Sequence, residues 1–367
     1  MAALDGRRGR RAVAVKRWVL VALALVWLAA MLLCAAALLW WQQSLRQPLE
    51  LPPEGLVYSL EPGQSLQQML RALQQRGVLG PLQPEAIRLH ARLAGRGQRI
   101  HAGEYRLAPG LNALTLLEQL ERGEVIQYRF TIVEGWTVAQ TLAALRARSE
   151  LEQRLEEGVD ATTLLTHLNG ESQGHAEGWL YPDTYRFVRG SSDVELLRRA
   201  HRRMREVVAE EWANRAPGLP YANPGEALIM ASIIERETAV AAERGAIAGV
   251  FVRRLERGMR LQTDPATIYG LGERYEGRLQ RRHLRDALNP YNTYRHAGLP
   301  PTPIALPGRA AIHAALHPEP GTALYFVARG DGTHAFSSTL AEHEAAVRRY
   351  QLRRRPDYRS TPLPVPP

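Results

Sequence analysis

Two glutamates lie close together in the segment ASIIERET, residues 231–238. On a helix, the residues that share a face with Glu237 are apolar: Met230, Ile233 and Ile234. Those behind Glu235 form a smaller and more polar face: Leu228, Ala231 and Ser232. A carboxyl at the end of an apolar stripe is desolvated, which raises its pKa and lets it hold a proton near neutral pH. The pattern therefore favours Glu237 as a general acid for glycosidic cleavage. The alternative is an ordinary helix-end carboxylate paired with an arginine.

A conventional glycosidase also needs a second carboxylate, as nucleophile or as base for water. Asp264, in LQTDP, and Asp183, in YPDTY, lie in segments of loop character. An aspartate in such a segment is more often a turn former than a catalyst. The sequence therefore does not decide which residue would be the second carboxylate of a hydrolase.

Two further segments carry the side chains that sugar rings require. Sugars are bound by aromatic faces and by fixed hydrogen-bonding groups. Such groups are concentrated in QTD and YNTY: Gln262, Thr263, Asp264, Tyr291, Asn292, Thr293 and Tyr294. We predict that these residues contact substrate, with loop scaffolding as the alternative. The surrounding stretches, residues 261–277 and 289–308, are predicted to be loops.

Cofactor, metal and nucleic-acid chemistry have little support. The histidines are scattered without metal-ligand spacing, and no phosphate-binding glycine motif occurs. The single cysteine, Cys34, excludes an internal disulfide. The net charge is +10, but the arginines alternate with glutamates along predicted helices. We therefore predict solvated basic faces rather than nucleic-acid binding, and neither a cofactor nor a metal.

The N-terminal segment is typical of a membrane anchor. Residues 18–41 are apolar and long enough to span roughly 30 Å of hydrocarbon, with tryptophans near both ends. This apolar core is too long for a cleaved signal peptide. Basic residues precede the span, so residues 1–17 are predicted to be a cytoplasmic tail. The chain after the span is then predicted to lie on the outer side of the cytoplasmic membrane. Residues 42–56, rich in proline, are predicted to be a spacer.

A weak repeat follows the anchor. Tyr58, Tyr105 and Phe130 each precede a glycine by five residues, and apolar residues at helical spacing come next. The pattern predicts a short strand, a glycine turn and an amphipathic helix in each copy. The opening copy resembles a LysM module, a small glycan-binding unit, with a generic fold lacking a ligand as the alternative. We assign residues 57–128 to this module, 129–352 to a catalytic domain and 353–367 to a flexible proline-rich tail.

Several long segments resemble the endolytic murein transglycosylases of the MltG/YceG type over roughly residues 55–350. They are EGWLYPDTYRF, ASIIERETA, VFVRRLERGMRLQTDPATIYG, YNTYRHAGLPPTPIALPG and ALYFVARGDGTHAFSSTLAEHEAAVRRY. The resemblance implies an α+β fold with an N-terminal transmembrane helix, a LysM-like module and a mixed α/β lytic domain. It implies an inner-membrane protein with a periplasmic catalytic domain and Glu237 as the essential acid.

The implied reaction cleaves the β-1,4 bond between N-acetylmuramic acid and N-acetylglucosamine in nascent peptidoglycan. It leaves a 1,6-anhydromuramyl end, needs one carboxyl, and needs neither metal nor cofactor. Association with peptidoglycan synthases, the penicillin-binding proteins, is also implied. Two other interpretations stay open: a non-catalytic peptidoglycan-binding scaffold, and a conventional hydrolase using Glu237 with Asp264.

Overall fold

The computed structural model describes residues 5–96, 100–170 and 174–352, with side chains from Trp18 onward except that of Val19. The predicted tail at 353–367 and the first four residues lie outside these ranges. The chain divides into two compact units, residues 1–126 and 127–367. The boundary between the predicted module and the catalytic domain falls close by, at 128/129.

The first unit begins with one long helix, α1 (Asp5–Arg46). Its segment Leu20–Arg46 is long and apolar enough to cross a membrane by length and composition, with a mean hydropathy of 2.6. Large apolar side chains along this segment are exposed, among them Trp27 and Leu33. The predicted apolar span is therefore helical and continues past Trp41 without a break.

After α1 come β1 (Leu56–Leu60), α2 (Leu66–Gln75), α3 (Gln83–Leu93), β2 (Gly103–Leu107) and α4 (Ala113–Arg122). The two strands pair antiparallel, with Tyr58 opposite Tyr105. Leucines of α2 and α4 fill the core between strands and helices. We call residues 56–122 the first module.

Residues 42–56 differ from the expected free spacer. The chain stays helical to Arg46, and Leu45 and Leu49 are buried in the core of the first module. The backbone N–H of Leu49 also donates to the Leu111 carbonyl at 2.7 Å. The prolines do not make this segment a linker, because the leucines between them bury apolar surface against the module.

The second unit opens with the same order of elements. They are β3 (Tyr128–Thr131), α5 (Val138–Arg146), α6 (Leu164–Asn169), β4 (Thr184–Phe187) and α7 (Asp193–Ala213). The strands again pair antiparallel, with Phe130 opposite Tyr185. We call residues 128–213 the second module.

The predicted strand–turn–helix repeat is confirmed in all three copies, and the structure adds a fourth. The fourth aromatic is Tyr185, which precedes Gly190 by five residues. The four turn glycines have positive φ: Gly63, Gly110, Gly135 and Gly190. Two residues after each glycine, a polar side chain caps the helix: Ser65, Asn112, Thr137 and Ser192. A left-handed turn followed by an N-cap therefore recurs wherever a strand leads into a helix.

The rest of the second unit is mainly helical. Its helices are α8 (Pro224–Glu237), α9 (Arg244–Glu256), α10 (Asp264–Leu271), α11 (Arg281–Arg285), α12 (Arg309–Leu316) and α13 (Leu340–Val347). Strands β5 (Tyr325–Ala328) and β6 (His334–Ser337) form an antiparallel hairpin, as the sequence predicts. Helix α8 lies at the centre, packed against α7, α9, α10 and α12.

The expectation of a loop over residues 261–277 is wrong, because this stretch contains α10. Thr263 is its N-cap residue, and Pro265 lies in the first turn. Proline is tolerated there because the first N–H groups of a helix lack intrahelical partners. The Asp-Pro pair therefore starts a helix rather than forming an isolated turn.

Candidate active site

Glu237 is the last residue of α8. The helix starts as predicted, with the Asn223 side chain accepting a hydrogen bond from the Glu226 N–H and Pro224 in the first turn. It ends at Thr238, whose backbone is extended, with φ of −145°, so the chain leaves the helix direction there. The Thr238 side chain is buried, and its hydroxyl accepts a hydrogen bond from the Val240 N–H at 2.9 Å. This hydrogen bond fixes the turn that follows Glu237.

The face behind Glu235 carries smaller and more polar residues, as the sequence indicates, but it is no more exposed than the other face. The residues of that face are as deeply buried as those of the other: Leu228, Ala231 and Ser232 are 0–1% exposed. Since residues 230–234 of α8 are all buried, an apolar stripe does not distinguish the two glutamates. The partners and surroundings of each carboxyl distinguish the two glutamates.

Glu235 is held by structural partners. Its Oε2 accepts a hydrogen bond from the Gly308 N–H at 3.0 Å, and its Oε1 lies 3.9 Å from Arg244 Nη2. Burial raises the pKa of Glu235, and the Gly308 N–H opposes that rise. The next residue, Arg236, donates from Nη1 to the carbonyl of Gly135 at 3.1 Å. Glu235 and Arg236 thus tie the end of α8 to neighbouring loops.

Glu237 has the electrostatics of a proton donor. Burial raises its pKa to about 7, and the negative charge of nearby Asp264 adds to the rise. The Thr263 hydroxyl and the Arg254 guanidinium act in the opposite direction by favouring the ionised form. A carboxyl with this pKa exists in both protonation states near neutrality, as a group that acts first as acid and then as base requires.

The two segments predicted to bind sugar lie side by side. The Thr263 N–H donates to Thr293 Oγ1 at 2.9 Å, and the Gln262 N–H donates to the Thr293 carbonyl at 3.2 Å. The Tyr294 hydroxyl donates to Asp264 Oδ1 at 2.7 Å. The charges of Asp264 and Glu237 both raise the pKa of Tyr294 after the larger effect of burial. The paired segments therefore border Glu237.

Three of these seven residues are buried. Thr263, Asn292 and Thr293 are at most 2% exposed. The Asn292 amide donates to the carbonyls of His283 and Asp286 and so braces the loop. Within the described part of the chain, Thr263 Oγ1 forms no regular hydrogen bond, yet it faces Glu237 closely enough to lower the pKa of that carboxyl. These positions suit a scaffold for the site better than direct contact with a ligand.

The other four are accessible: Gln262 and Asp264 are exposed, and Tyr291 and Tyr294 are half-buried. Tyr291 shares a 2.9 Å hydrogen bond with the Thr302 hydroxyl, and its ring lies edge-on to Tyr269 with centroids 4.9 Å apart. Gln262 is the one non-glycine residue among the described residues with a positive φ, 54°. Such a conformation costs roughly 1–3 kcal/mol and occurs often at functional sites.

Two buried titratable residues that contact the elements around these segments escaped the sequence reasoning. Arg254 is buried, donates to the carbonyls of Leu261 and Leu324, and lies over the Tyr325 ring. Its positive charge favours the ionised form of Glu237 and so lowers the pKa of that carboxyl. No motif indicates this role, since Arg254 is one of three arginines in α9.

Glu177 is the second. Its side chain is buried, and burial raises its pKa to about 7. Its oxygens accept hydrogen bonds from the Val138 N–H at 2.9 Å and the Tyr269 hydroxyl at 3.0 Å. These bonds link the start of α5 to α10. The sequence signal is the position of Glu177 at the head of the aromatic segment EGWLYPDTYRF.

Asp183 does not belong to this group. It is exposed at the start of β4, where its side chain accepts from the Thr184 N–H and its carbonyl from the Ile132 N–H. It therefore serves the strand pairing. The expectation that it supplies a second carboxylate has no support in its contacts.

Two other features of the second unit lie apart from these residues. A cleft of about 690 Å³ is bordered by Trp179, Asn223 and the loop 298–303. It lies at the opposite end of α8, roughly 20 Å from Glu237 by the helical rise. Glu211, His313 and His317 bring possible metal ligands within 4.8 Å of one another. However, both Glu211 oxygens already have partners, Arg309 Nη1 at 2.8 Å and His313 Nδ1 at 2.9 Å.

Comparisons with known proteins identify relatives of this chain. A protein of Bacillus subtilis (strain 168), named endolytic murein transglycosylase, is 28% identical over 84% of this chain and 88% of its own length. A protein of the same name from Streptococcus pneumoniae serotype 2 (strain D39 / NCTC 7466) is 29% identical over 68% of this chain. The matched region spans only 50% of that relative. A crystal structure of a yceG-like protein from Listeria monocytogenes covers 80% of this chain and 99% of its own, at 27% identity and a TM-score of 0.49.

The model of the YceG-like family matches residues 58–349, which is most of the chain. This match contains Glu237, the paired segments around Thr263 and Thr293, and both modules. The chain belongs to the YceG-like family.

Proposed function

We propose that this protein is an endo-acting lytic transglycosylase of peptidoglycan, a lyase with Glu237 as its catalytic residue. The observation that carries the proposal is the pKa of about 7 that burial gives Glu237, beside two segments suited to bind sugar. The relatives named endolytic murein transglycosylases support the same assignment. The bond cleaved is the β-1,4 bond between N-acetylmuramic acid and N-acetylglucosamine in nascent glycan strands.

The chemistry requires one carboxyl group in two protonation states. Protonated Glu237 donates its proton to the glycosidic oxygen as the bond from C1 breaks. The resulting carboxylate then takes the proton of the muramyl C6 hydroxyl, whose oxygen closes onto C1. The products are an N-acetylglucosamine with a free hydroxyl and a 1,6-anhydromuramyl end, and no water is consumed.

The surrounding residues would support the two steps differently. Thr263 favours the carboxylate form of Glu237, and Asp264 favours the protonated form. Burial is the main cause of the raised pKa of Glu237, and these two residues adjust that pKa in opposite directions. The exposed or half-buried side chains would contact the sugars: Gln262, Asp264, Tyr291 and Tyr294. A fixed carboxylate such as Asp264 would also stabilise positive charge that develops at C1.

We infer the cellular location of the protein from α1. Its apolar segment supports a single-pass anchor in the inner membrane, with the N-terminus cytoplasmic and the chain after the anchor, including the catalytic domain, periplasmic. An enzyme tethered there acts on strands as they emerge, and would limit their length in association with peptidoglycan synthases. In this scheme residues 57–128 form a LysM-like glycan-binding unit and residues 129–352 form the catalytic domain.

A conventional hydrolase is the second candidate, because Asp264 is close enough for its charge to raise the pKa of Glu237. Mass spectrometry of the chain ends released from purified sacculi separates the two. The lytic reaction gives anhydro ends lighter by one water than the reducing ends of hydrolysis. Reducing ends would establish the hydrolase, and binding to sacculi without new ends would establish a non-catalytic scaffold. Either result overturns the proposal.

A further inference from the structure

Helix α3 of the first module presents an apolar face that no other described residue covers. Leu82, just before the helix, and Leu89 and Leu93 within it are 61%, 50% and 69% exposed. Their spacings of seven and four residues place them on one face. The corresponding helix of the second module, α6, buries its leucines, with Leu164 0% exposed. Helix α3 therefore carries exposed leucines in addition to its core face, whereas the leucines of α6 are all buried.

The position of α3 beside α1 indicates what covers this face. The Trp41 indole N–H donates to the Ala86 carbonyl at 3.3 Å, and the Trp41 ring lies 6.1 Å from that of His90. The Gln83 side chain donates to the Ser44 carbonyl at 3.3 Å. These bonds hold α3 against the last turns of the apolar helix.

A groove of about 630 Å³ runs between the two helices. It is lined by Cys34, Ala37 and Leu38 of α1 and by Leu82, Ala86 and Leu89 from the α3 side. Cys34 lies roughly 10 Å along the helix from Trp41, on the side of the apolar span. With Trp40 and Trp41 at the membrane interface, where tryptophans concentrate, the groove opens at the level of the hydrocarbon edge.

The charges beside the face suit the headgroup region. Arg92 is exposed, and Arg88 is half-buried and 3.8 Å from Glu85. On the helix these side chains flank the leucines on one side. Arginine stems pack on apolar surface while their charged heads reach lipid phosphates.

We propose that α3 is an interfacial helix whose Leu82, Leu89 and Leu93 enter the acyl–headgroup boundary of the leaflet from which α1 emerges. The bilayer would then hold the first module at the surface through a second element besides α1. The inference rests on the part of the proposed function that places α1 across a membrane. It is independent of the reaction at Glu237.

The test uses the full chain with Cys34→Ser, reconstituted in nanodiscs of phosphatidylethanolamine and phosphatidylglycerol. A nitroxide is attached at Leu89→Cys, and in separate samples at Leu33→Cys of α1 and at exposed Gln75→Cys of α2. Power-saturation measurements compare collisions with oxygen, which concentrates in lipid, and with a nickel chelate, which stays in water. We expect position 89 to follow position 33, with oxygen collisions several-fold more frequent than at position 75.

Nickel accessibility at position 89 equal to that at position 75 would overturn the inference while leaving α1 in the membrane. Low collision rates with both reagents at position 89 would also overturn it, because a second copy of the chain would then cover the face. A water-accessible position 33 would remove the membrane anchor itself, and the inference with it. The masses of the chain ends released from sacculi test the reaction separately.

Discussion

The two modules have the same order of elements but different surroundings. Each consists of a strand, two helices, a second strand and a further helix, and each pairs two aromatic residues across its strands. Each strand is followed by a glycine with positive φ and a helix cap two residues later. Local sequence accounts for the shared turns and caps, because their chemistry acts over a few residues.

The turns of the first strands show the clearest difference. In the first module a side chain at Gly63 would meet no atom within 4 Å. In the second module the Gly135 carbonyl accepts from Arg236, and its N–H donates to the Leu306 carbonyl at 2.9 Å. Arg236 adjoins Glu237 in sequence. A side-chain carbon at this turn would thus meet no other atom in the first module. In the second module the turn binds the residue next to Glu237.

The second helices give the largest expected contrast. Leu164→Ala in α6 removes a fully buried side chain, and we expect the free energy of unfolding to fall by about 2–5 kcal/mol. Leu89→Ala in α3 leaves no cavity inside the protein, and we expect a clearly smaller loss. Urea unfolding of the full chain in detergent micelles measures both. Equal losses would mean that protein covers α3 as it covers α6.

The sequence predicted well where the signal is local. Three strand–turn–helix copies, the Asn223 cap and the hairpin around residues 329–333 all follow from short motifs. The fourth copy was missed because its strand lies inside the aromatic segment that ends at Phe187. The apolar stripe did not separate the two glutamates because residues 230–234 of α8 are all buried, which depends on residues far along the chain.

The layout of the site was only partly predictable. The polar composition of residues 262–264 and 291–294 singled them out, but their pairing depends on a separation of about thirty residues. Composition also did not distinguish buried Thr263, Asn292 and Thr293 from the accessible members. Arg254 and Glu177 act through tertiary contacts for which no spacing rule exists.

Glu177 tests how the second module is joined to α10. Burial raises its pKa to about 7 in the folded chain, from the ordinary value of 4.5. The folded state therefore holds a proton that the unfolded state releases, and stability falls as pH rises between these values. At 1.36 kcal/mol per pKa unit, the contribution of Glu177 to this fall is about 3 kcal/mol.

We expect Glu177→Gln to be less stable than the natural chain at pH 5 and to lose less on going to pH 8. Urea unfolding at four pH values between 5 and 8 measures this. Glu237 contributes to the same fall in both proteins, because its pKa is also raised to about 7. An unchanged pH dependence in the variant would show that Glu177 is ionised in the folded chain at pH 5.

The turn glycines give a smaller and more selective effect. Alanine at either Gly63 or Gly135 must adopt a left-handed backbone, which costs roughly 1–2 kcal/mol. We expect both variants to lose that stability, and only Gly135→Ala to lower turnover by a few-fold, because its carbonyl positions Arg236. Thermal unfolding and release of anhydro ends measure the two effects. Equal turnover in both variants would separate the turn from the active site.

The central claim is that Glu237, and not Glu235, carries the reaction. The direct measurement is the rate of anhydro-end release from sacculi by Glu237→Gln and Glu235→Gln, with folding of each confirmed by circular dichroism. We expect Glu237→Gln to lose on the order of 10³-fold in rate, since its amide cannot donate the proton. We expect Glu235→Gln to stay within about tenfold of the natural chain, with a loss of stability from its weakened bond to Gly308. An active Glu237→Gln beside an inactive Glu235→Gln would contradict the account.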